Sequence, residues 1–293
     1  MNVLILGATG MLGYSLFSNL SEVKKLNVFG SVRTLEGKYG FFKDYPGKLI
    51  ENVDVNDFAS IENAIVKANA NIVINCIGLI KQHDVSKQHI SAIEINSLLP
   101  HRLASLCDKY SARLIHFSTD CVFDGERGDY REDDLPTATD LYGKSKCLGE
   151  VGYGSHLTLR TSIIGHELSS AVSLVDWFLS QDKEVNGFTK AVFSGLPTSY
   201  IAKILVERVF DNPDLKGLYH LSVDPIDKFS LISLVSEVYG KDIMIHENED
   251  LIIDRSLNSR RFQELTMFTP PTWRELIEYM HKDYLKRYIS WKS

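Results

Sequence analysis

Tyr142 and Lys146 stand four residues apart in Tyr142-Gly143-Lys144-Ser145-Lys146. On a helix, positions i and i+4 share one face. A free phenol titrates near ~10, which makes it a poor proton relay at neutral pH. A neighbouring ammonium stabilises phenolate and lowers that value. A tyrosine tuned in this way can protonate a carbonyl oxygen while hydride reaches the carbon. The pair is common on helix surfaces, so its weight comes from what precedes it. Ser118-Thr119-Asp120 follows the apolar run Arg113 to Phe117, which reads as a strand. The carboxyl end of a parallel strand is where α/β sheets place their ligands. A Thr119 hydroxyl there can hydrogen-bond the same carbonyl oxygen and hold it for protonation.

A second feature has the chemistry of a phosphate cradle. Gly7-Ala8-Thr9-Gly10-Met11-Leu12-Gly13 follows an apolar strand directly and opens a helix. Gly7 permits the tight turn, Gly10 the approach of a pyrophosphate, and Gly13 close helix–strand packing. The helix start supplies unpaired N–H groups to an anion. At the end of the second strand an acidic residue would select the ribose hydroxyls of NAD. Arg33 stands there instead, and a guanidinium can pair with a 2′-phosphate. This favours NADP over NAD, with an ordinary surface arginine as the alternative. Asp54-Val55 is placed to meet adenine, or to form a turn.

These groups need elements to position them. Strand-like runs at Val3–Leu6, Asn27–Val32, Asn71–Asn75, Arg113–Phe117 and Leu157–Arg160 alternate with helical patterns. The helical patterns are Met11–Leu20, Ile61–Ala68, His89–Lys109 and Tyr142–Gly149. Alternation at this pitch predicts βαβ units and a Rossmann-type, doubly wound parallel sheet. After Thr161 the alternation weakens, with helices at Leu174–Leu179, Ile201–Phe210, Phe229–Tyr239 and Thr272–Tyr288. The expected organisation is a nucleotide-binding domain over 1–161, with a segment near 190–223 returning to its sheet. Most of 162–293 then forms a smaller α/β substrate lobe.

Composition sets outer limits. The chain has 293 residues, 44% hydrophobic and 24% charged, with a net charge of -6. That is an ordinary globular balance, and it excludes a strongly basic nucleic-acid binder. No apolar run approaches the ~20 residues of a membrane helix. Cys76, Cys107, Cys121 and Cys147 form no C-x-x-C pair, which points to reduced thiols in a cytoplasmic protein.

Together the glycine motif, Ser118-Thr119-Asp120 and Tyr142-x-x-x-Lys146 resemble the extended short-chain dehydrogenase/reductase superfamily. Ser118-Thr119-Asp120-Cys121-Val122-Phe123-Asp124-Gly125 is similar to a signature of dTDP-4-dehydrorhamnose reductases. So are Tyr142-Gly143-Lys144-Ser145-Lys146-x-x-Gly149-Glu150, Leu159-Arg160-Thr161-Ser162, Gly195-Leu196-Pro197-Thr198 and Asn258-Ser259-Arg260. The resemblance implies NADPH-dependent reduction, with NADH as a possible substitute, at C4 of a nucleotide-bound 4-keto-6-deoxyhexose. It assigns catalysis to Thr119, Tyr142 and Lys146. Gly7, Thr9, Gly10, Met11, Leu12, Gly13, Arg33, Asp54, Val55, Asn75, Cys76, Gly78 and Asn96 would meet the cofactor, together with Tyr142 and Lys146. Thr119, Asp120, Val122, Tyr142, Asn258, Ser259 and Arg260 would meet substrate, with Arg261 as the rival to Arg260.

The resemblance has departures. Cys121 replaces a tyrosine common after the aspartate, which leaves the sugar open and argues against dehydration. An epimerase of the same superfamily and a non-catalytic regulatory subunit are the competing functions. No metal is expected; a homodimer is compatible with the family. His83 is a candidate substrate contact and His116 a packed strand residue. Trp177, Phe178 and Phe188 read as core before base stacking. Asp124–Asp140 is the longest loop candidate, and its carboxylates from Glu126 to Asp140 read as a solvated loop before a calcium site.

Overall fold

The computed structural model describes residues 1–79 and 88–289. Seven parallel strands form the central sheet. Their spatial order is Gly217–His220, Leu157–Thr161, Arg113–Thr119, Ile72–Asn75, Asn2–Leu6, Asn27–Ser31 and Leu49–Ile50. This is the doubly wound α/β arrangement expected from the alternation. The order reverses between Asn2–Leu6 and Ile72–Asn75, which pair from Val3 with Ile72 to Leu6 with Asn75. A crevice opens at such a switch point, beyond the carboxyl ends of the strands.

The inner strands carry apolar residues on both faces because both faces are covered. Val3, Ile5, Ile74, Ile115 and Phe117 point into one core with the helix Met11–Leu20 and with Leu276 and Tyr288 near the C-terminus. Leu4, Leu6, Val73 and Leu114 point into the other, against Phe58–Ala68 and Leu99–Lys109. A third core belongs to the remaining lobe and includes Phe178, Phe193, Leu231, Ile277 and Met280. The helix Trp273–Arg287 therefore serves two cores, with Leu276 on one side and Ile277 and Met280 on the other. Its start is set by a capping box between Thr272 and Glu275.

The lobe contains short strands that the sequence reading did not place. Val185–Phe188 pairs with Ile245–Asn248, and Ala191–Phe193 lies between Ile226–Asp227 and Ile253–Asp254. Segments of two to four residues carry too little periodicity to be read without their partners.

The long helix from His89 to Lys109 is interrupted by a π-helical turn at Ile93–Leu98. Pro100 explains it. A proline inside a helix lacks an N–H and crowds the carbonyl four residues back, here that of Asn96. The wider turn relieves the crowding, and the Asn96 carbonyl faces Gly149. Among the described residues, no helix is long and apolar enough to cross a membrane.

A Cβ on Gly149 would lie 1.9 Å from the Asn96 oxygen. Gly149→Ala is expected to cost ~1–3 kcal/mol by overpacking. Thermal unfolding reads this as a Tm lower by several degrees; an unchanged Tm would contradict the close approach.

Candidate active site

The glycine turn is built by contacts no larger residue allows. Gly7 has φ 82°, in the left-handed region, and a Cβ on Gly13 would sit 2.0 Å from the Gly7 oxygen. The turn closes with Gly10 N–H donating to the Gly7 carbonyl at 3.1 Å, while Ala8 N–H donates to the Ser31 carbonyl at 2.9 Å. Gly10 caps the helix Met11–Leu20 in an extended conformation and has no side chain to occupy the first-turn amides. That donor set fits a pyrophosphate. Thr9 and Met11 are half-buried beside it, whereas Leu12 is buried in the core, so only its backbone can serve a ligand. Arg33 is exposed two residues past the strand Asn27–Ser31. Asp54 Oδ1 accepts from both the backbone and side-chain N–H groups of Asn56, at 2.9 and 3.0 Å. This is turn chemistry, and Val55 packs against the sheet core.

Beyond the neighbouring strand, the side chain of Asn75 is turned inward. Its Oδ1 accepts from Ile77 N–H at 3.0 Å, and its amide meets His116 Nδ1 at 3.1 Å. His116 is buried, and burial holds its pKa well below the usual imidazole range. Cys76 is half-buried, with its thiol pushed up by burial. Asn96 closes the loop. Its Oδ1 accepts from Leu79 N–H at 2.8 Å, and its amide donates to the Leu79 carbonyl and to Ser145 Oγ, each at 3.2 Å. One buried amide thereby ties the Gly78–Leu79 loop to the helix that carries Tyr142 and Lys146. The position expected for His83 lies outside the described residues.

That helix, Leu141–Leu148, begins at Asp140, whose carboxylate accepts from Gly143 N–H at 2.8 Å. A Cβ on Gly143 would lie 2.2 Å from the Cys121 oxygen, so glycine lets the helix touch the turn after Thr119. Lys146 is buried and its ammonium donates to the Phe117 carbonyl at 2.7 Å. A Cβ on Gly78 would stand 4.0 Å from that ammonium. Burial lowers Lys146 to about 8, with the Glu150 carboxylate and the Cys76 thiol opposing.

Tyr142 departs from the sequence expectation. Its phenol is pushed above the usual tyrosine range by burial, then by the Cys121 side chain, with the Thr119 hydroxyl opposing. The ammonium was expected to lower it. Desolvation of the phenolate sets the direction here, and the Lys146 ammonium donates to the Phe117 carbonyl. Thr119 ends its strand, donating to Asp120 Oδ1 and accepting from Cys121 N–H, both at 3.1 Å. Burial raises Asp120, while the Thr119 hydrogen bond and then the Arg255 charge oppose.

A network the sequence did not reveal underpins this strand end. Glu150 takes two N–H groups of Arg160 at 2.7 Å each, and Ser118 Oγ donates to the same carboxylate at 2.7 Å. Arg160 also meets His220 Nε2 at 3.3 Å, and His220 N–H donates to Glu132 at 2.9 Å. Burial lowers His220 to about 3, so its ring is neutral. The acidic loop is thus partly structural: Glu132 is buried, and Asp124, bonded by Tyr130, is held near 2. Among the described residues, no group of side chains could hold a metal ion.

The small-lobe candidates have partners within the chain. Ser259 is buried and donates to the Ser222 carbonyl at 3.0 Å. Asn258 spends its amide on Asp129 and its oxygen on Arg260 N–H, both at 3.0 Å. Arg260 is exposed and paired with Glu264, and Arg261 lies over the Tyr219 ring. Val122 is buried with Phe123, Tyr130 and Leu257, which leaves its backbone alone for a ligand. Phe178 is core, Phe188 half-buried and Trp177 partly exposed.

Comparison with known proteins gives a consistent picture. The model of the RmlD substrate binding domain matches residues 1–286. The chain is 32% identical over 151 residues to the probable low-salt glycan biosynthesis reductase Agl14 of Haloferax volcanii; that match spans 51% of this chain and 48% of that protein. It is 27% identical to methionine adenosyltransferase 2 subunit beta of Xenopus laevis, over 81% of this chain and 72% of that one. The crystal structure of dTDP-4-dehydrorhamnose reductase from Bacillus anthracis in complex with NADP superposes with a TM-score of 0.77. It is 19% identical, and the superposition covers 96% of this chain and 98% of that one.

Arg160→Met would leave the Glu150 carboxylate buried without its guanidinium, at a cost of about 3–5 kcal/mol. Adding Glu150→Gln should recover much of that loss. Denaturant unfolding of the single and double variants measures it; equal losses in both would contradict the pairing.

Proposed function

The chain belongs to the RmlD substrate binding domain family, and from that premise we propose that it reduces the C4 keto group of a nucleotide-linked 4-keto-6-deoxyhexose with NADPH. The product would be a deoxysugar precursor for a polysaccharide. The observation that carries this reading is the convergence of Thr119, Tyr142 and Lys146 at one strand end, next to an uncapped helix start.

When bound, the reduced nicotinamide supplies hydride to C4. The N–H groups at Gly10 to Gly13 receive the pyrophosphate, and Arg33 pairs with the 2′-phosphate. Lys146, beside Gly78, holds the ribose hydroxyls. Tyr142, a neutral phenol at neutral pH, gives its proton to the sugar oxygen as the carbon is reduced. Reduction consumes the proton that a neutral phenol carries, whereas oxidation would need the phenolate. Thr119 holds the carbonyl oxygen in line. The thiols of Cys76, Cys107, Cys121 and Cys147 are all free, which supports a reducing, cytoplasmic setting.

A regulatory subunit is the second reading, favoured by the likeness to methionine adenosyltransferase 2 subunit beta across 81% of this chain. Retention of Thr119, Tyr142 and Lys146 supports catalysis instead. The test is NADPH oxidation against dTDP-, UDP- and GDP-linked 4-keto sugars. One NADPH consumed per product supports reduction. Conversion without net consumption would mean epimerisation, and no turnover with co-purification of a larger enzyme would mean the regulatory reading.

Three further outcomes are expected. Tyr142→Phe should lower kcat ~10²-fold or more while NADPH still binds; near-normal turnover would remove Tyr142 from the proton step. Arg33→Ala should weaken NADPH far more than NADH in a fluorescence titration, and equal effects would refute the 2′-phosphate contact. Lys146 is charged below about 8 and neutral above it. The wild-type rate should therefore fall as pH rises through that value. In Lys146→Arg, whose charge does not titrate there, the fall should disappear from the pH profile.

A further inference from the structure

Arg255 joins the two halves of the molecule at the catalytic turn. Its backbone follows Ile253–Asp254, which pairs with Ala191–Phe193 in the small lobe. Its side chain reaches the other half, where Nε donates to the Phe123 carbonyl at 2.8 Å and Nη1 lies 3.9 Å from Cys121 Sγ. The path of its stem is kept open by Gly125, at φ 88°, where a Cβ would meet Arg255 Cγ at 2.9 Å. Asp254 N–H also donates to the Gly125 carbonyl at 2.7 Å, so backbone and side chain grip the same turn. The gripped residues are the continuation of Thr119: the single helical turn Asp120–Val122, then Phe123.

Thr119 is tied to that turn as well as to Tyr142. Its hydroxyl donates to Asp120 and accepts from Cys121 N–H, and these two bonds go to residues Arg255 faces. Arg255 is also the cation that acts on the buried Asp120. We infer that Arg255 is a positioning residue for the proposed reduction, holding Asp120 to Phe123 from the small lobe and so fixing the direction of the Thr119 hydroxyl. The inference rests on the reductase reading for its kinetic consequence. The geometric link between Arg255 and Thr119 does not depend on that reading. It also gives Cys121 a role: a small residue there leaves room for the guanidinium to lie along the turn.

The test uses the full chain with Arg255→Met, Arg255→Lys, Thr119→Val and the double variant Thr119→Val/Arg255→Met. In Arg255→Met, kcat should fall on the order of 10²-fold, the scale of a misplaced catalytic group, with KM for the keto sugar little changed. Arg255→Lys should regain part of the rate. The double variant should be no slower than Thr119→Val, because groups acting as one unit are not additive. Methyl NMR of labelled threonine supplies a readout independent of turnover. The Thr119 signal, assigned with Thr119→Val, should shift in Arg255→Met and move back in Arg255→Lys. Multiplying losses in the double variant, a loss confined to KM, or an unmoved methyl signal would each overturn the inference. If the wild type turns over no keto sugar, the reductase reading fails, and the methyl signal still decides whether Arg255 positions Thr119.

Discussion

The site depends on one buried cation and the carbonyl that receives it. The Lys146 ammonium donates to the Phe117 oxygen, two residues before Thr119 ends the strand. That bond fastens the helix of Tyr142 and Lys146 to the strand end that carries the Thr119 hydroxyl. A charge is costly to bury, and it is tolerated only where hydrogen bonds and opposite charge compensate. Here the compensation comes from the Phe117 carbonyl and the Glu150 carboxylate. The residual penalty is visible as a lysine that titrates near 8. The same burial acts oppositely on the phenol, which it keeps protonated.

The surrounding structure meets that constraint from three sides. Asn96 ties the helix to the Gly78–Leu79 loop, and Pro100 creates the wide turn in which Asn96 sits. Gly143 and Gly149 let the helix touch the Cys121 and Asn96 carbonyls. Beneath, Arg160 holds Glu150, and Ser118 shares that carboxylate. From the small lobe, Arg255 holds the turn after Thr119. The geometry of the candidate site is thereby set by backbone carbonyls and buried pairs, with little left to exposed side chains.

The parallel sheet was legible because strands buried on both faces read as unbroken apolar runs, as Val3 to Leu6 does. The cradle was legible because Gly7 and Gly13 answer steric demands no other residue meets. Thr119, Tyr142 and Lys146 were legible from residue type and spacing. Other features were not, for physical reasons. Arg255 meets Phe123 across 132 residues of chain, and no local pattern encodes such a contact. Ser259 and Asn258 read as polar and available, yet the fold spends both on internal hydrogen bonds. The direction of the Tyr142 shift was misread because spacing reports the neighbouring lysine and says nothing of desolvation. Tertiary packing decides that balance.

The central claim is that burial holds Tyr142 as a neutral acid ready to donate. Tyrosinate ultraviolet absorbance, followed against pH in the wild type and in Tyr142→Phe, tests it most directly. The account predicts that the difference between the two stays flat through neutral pH and past the ordinary tyrosine value of 10.0. A phenolate that appears in the wild type at or below that value and is missing from Tyr142→Phe would contradict it.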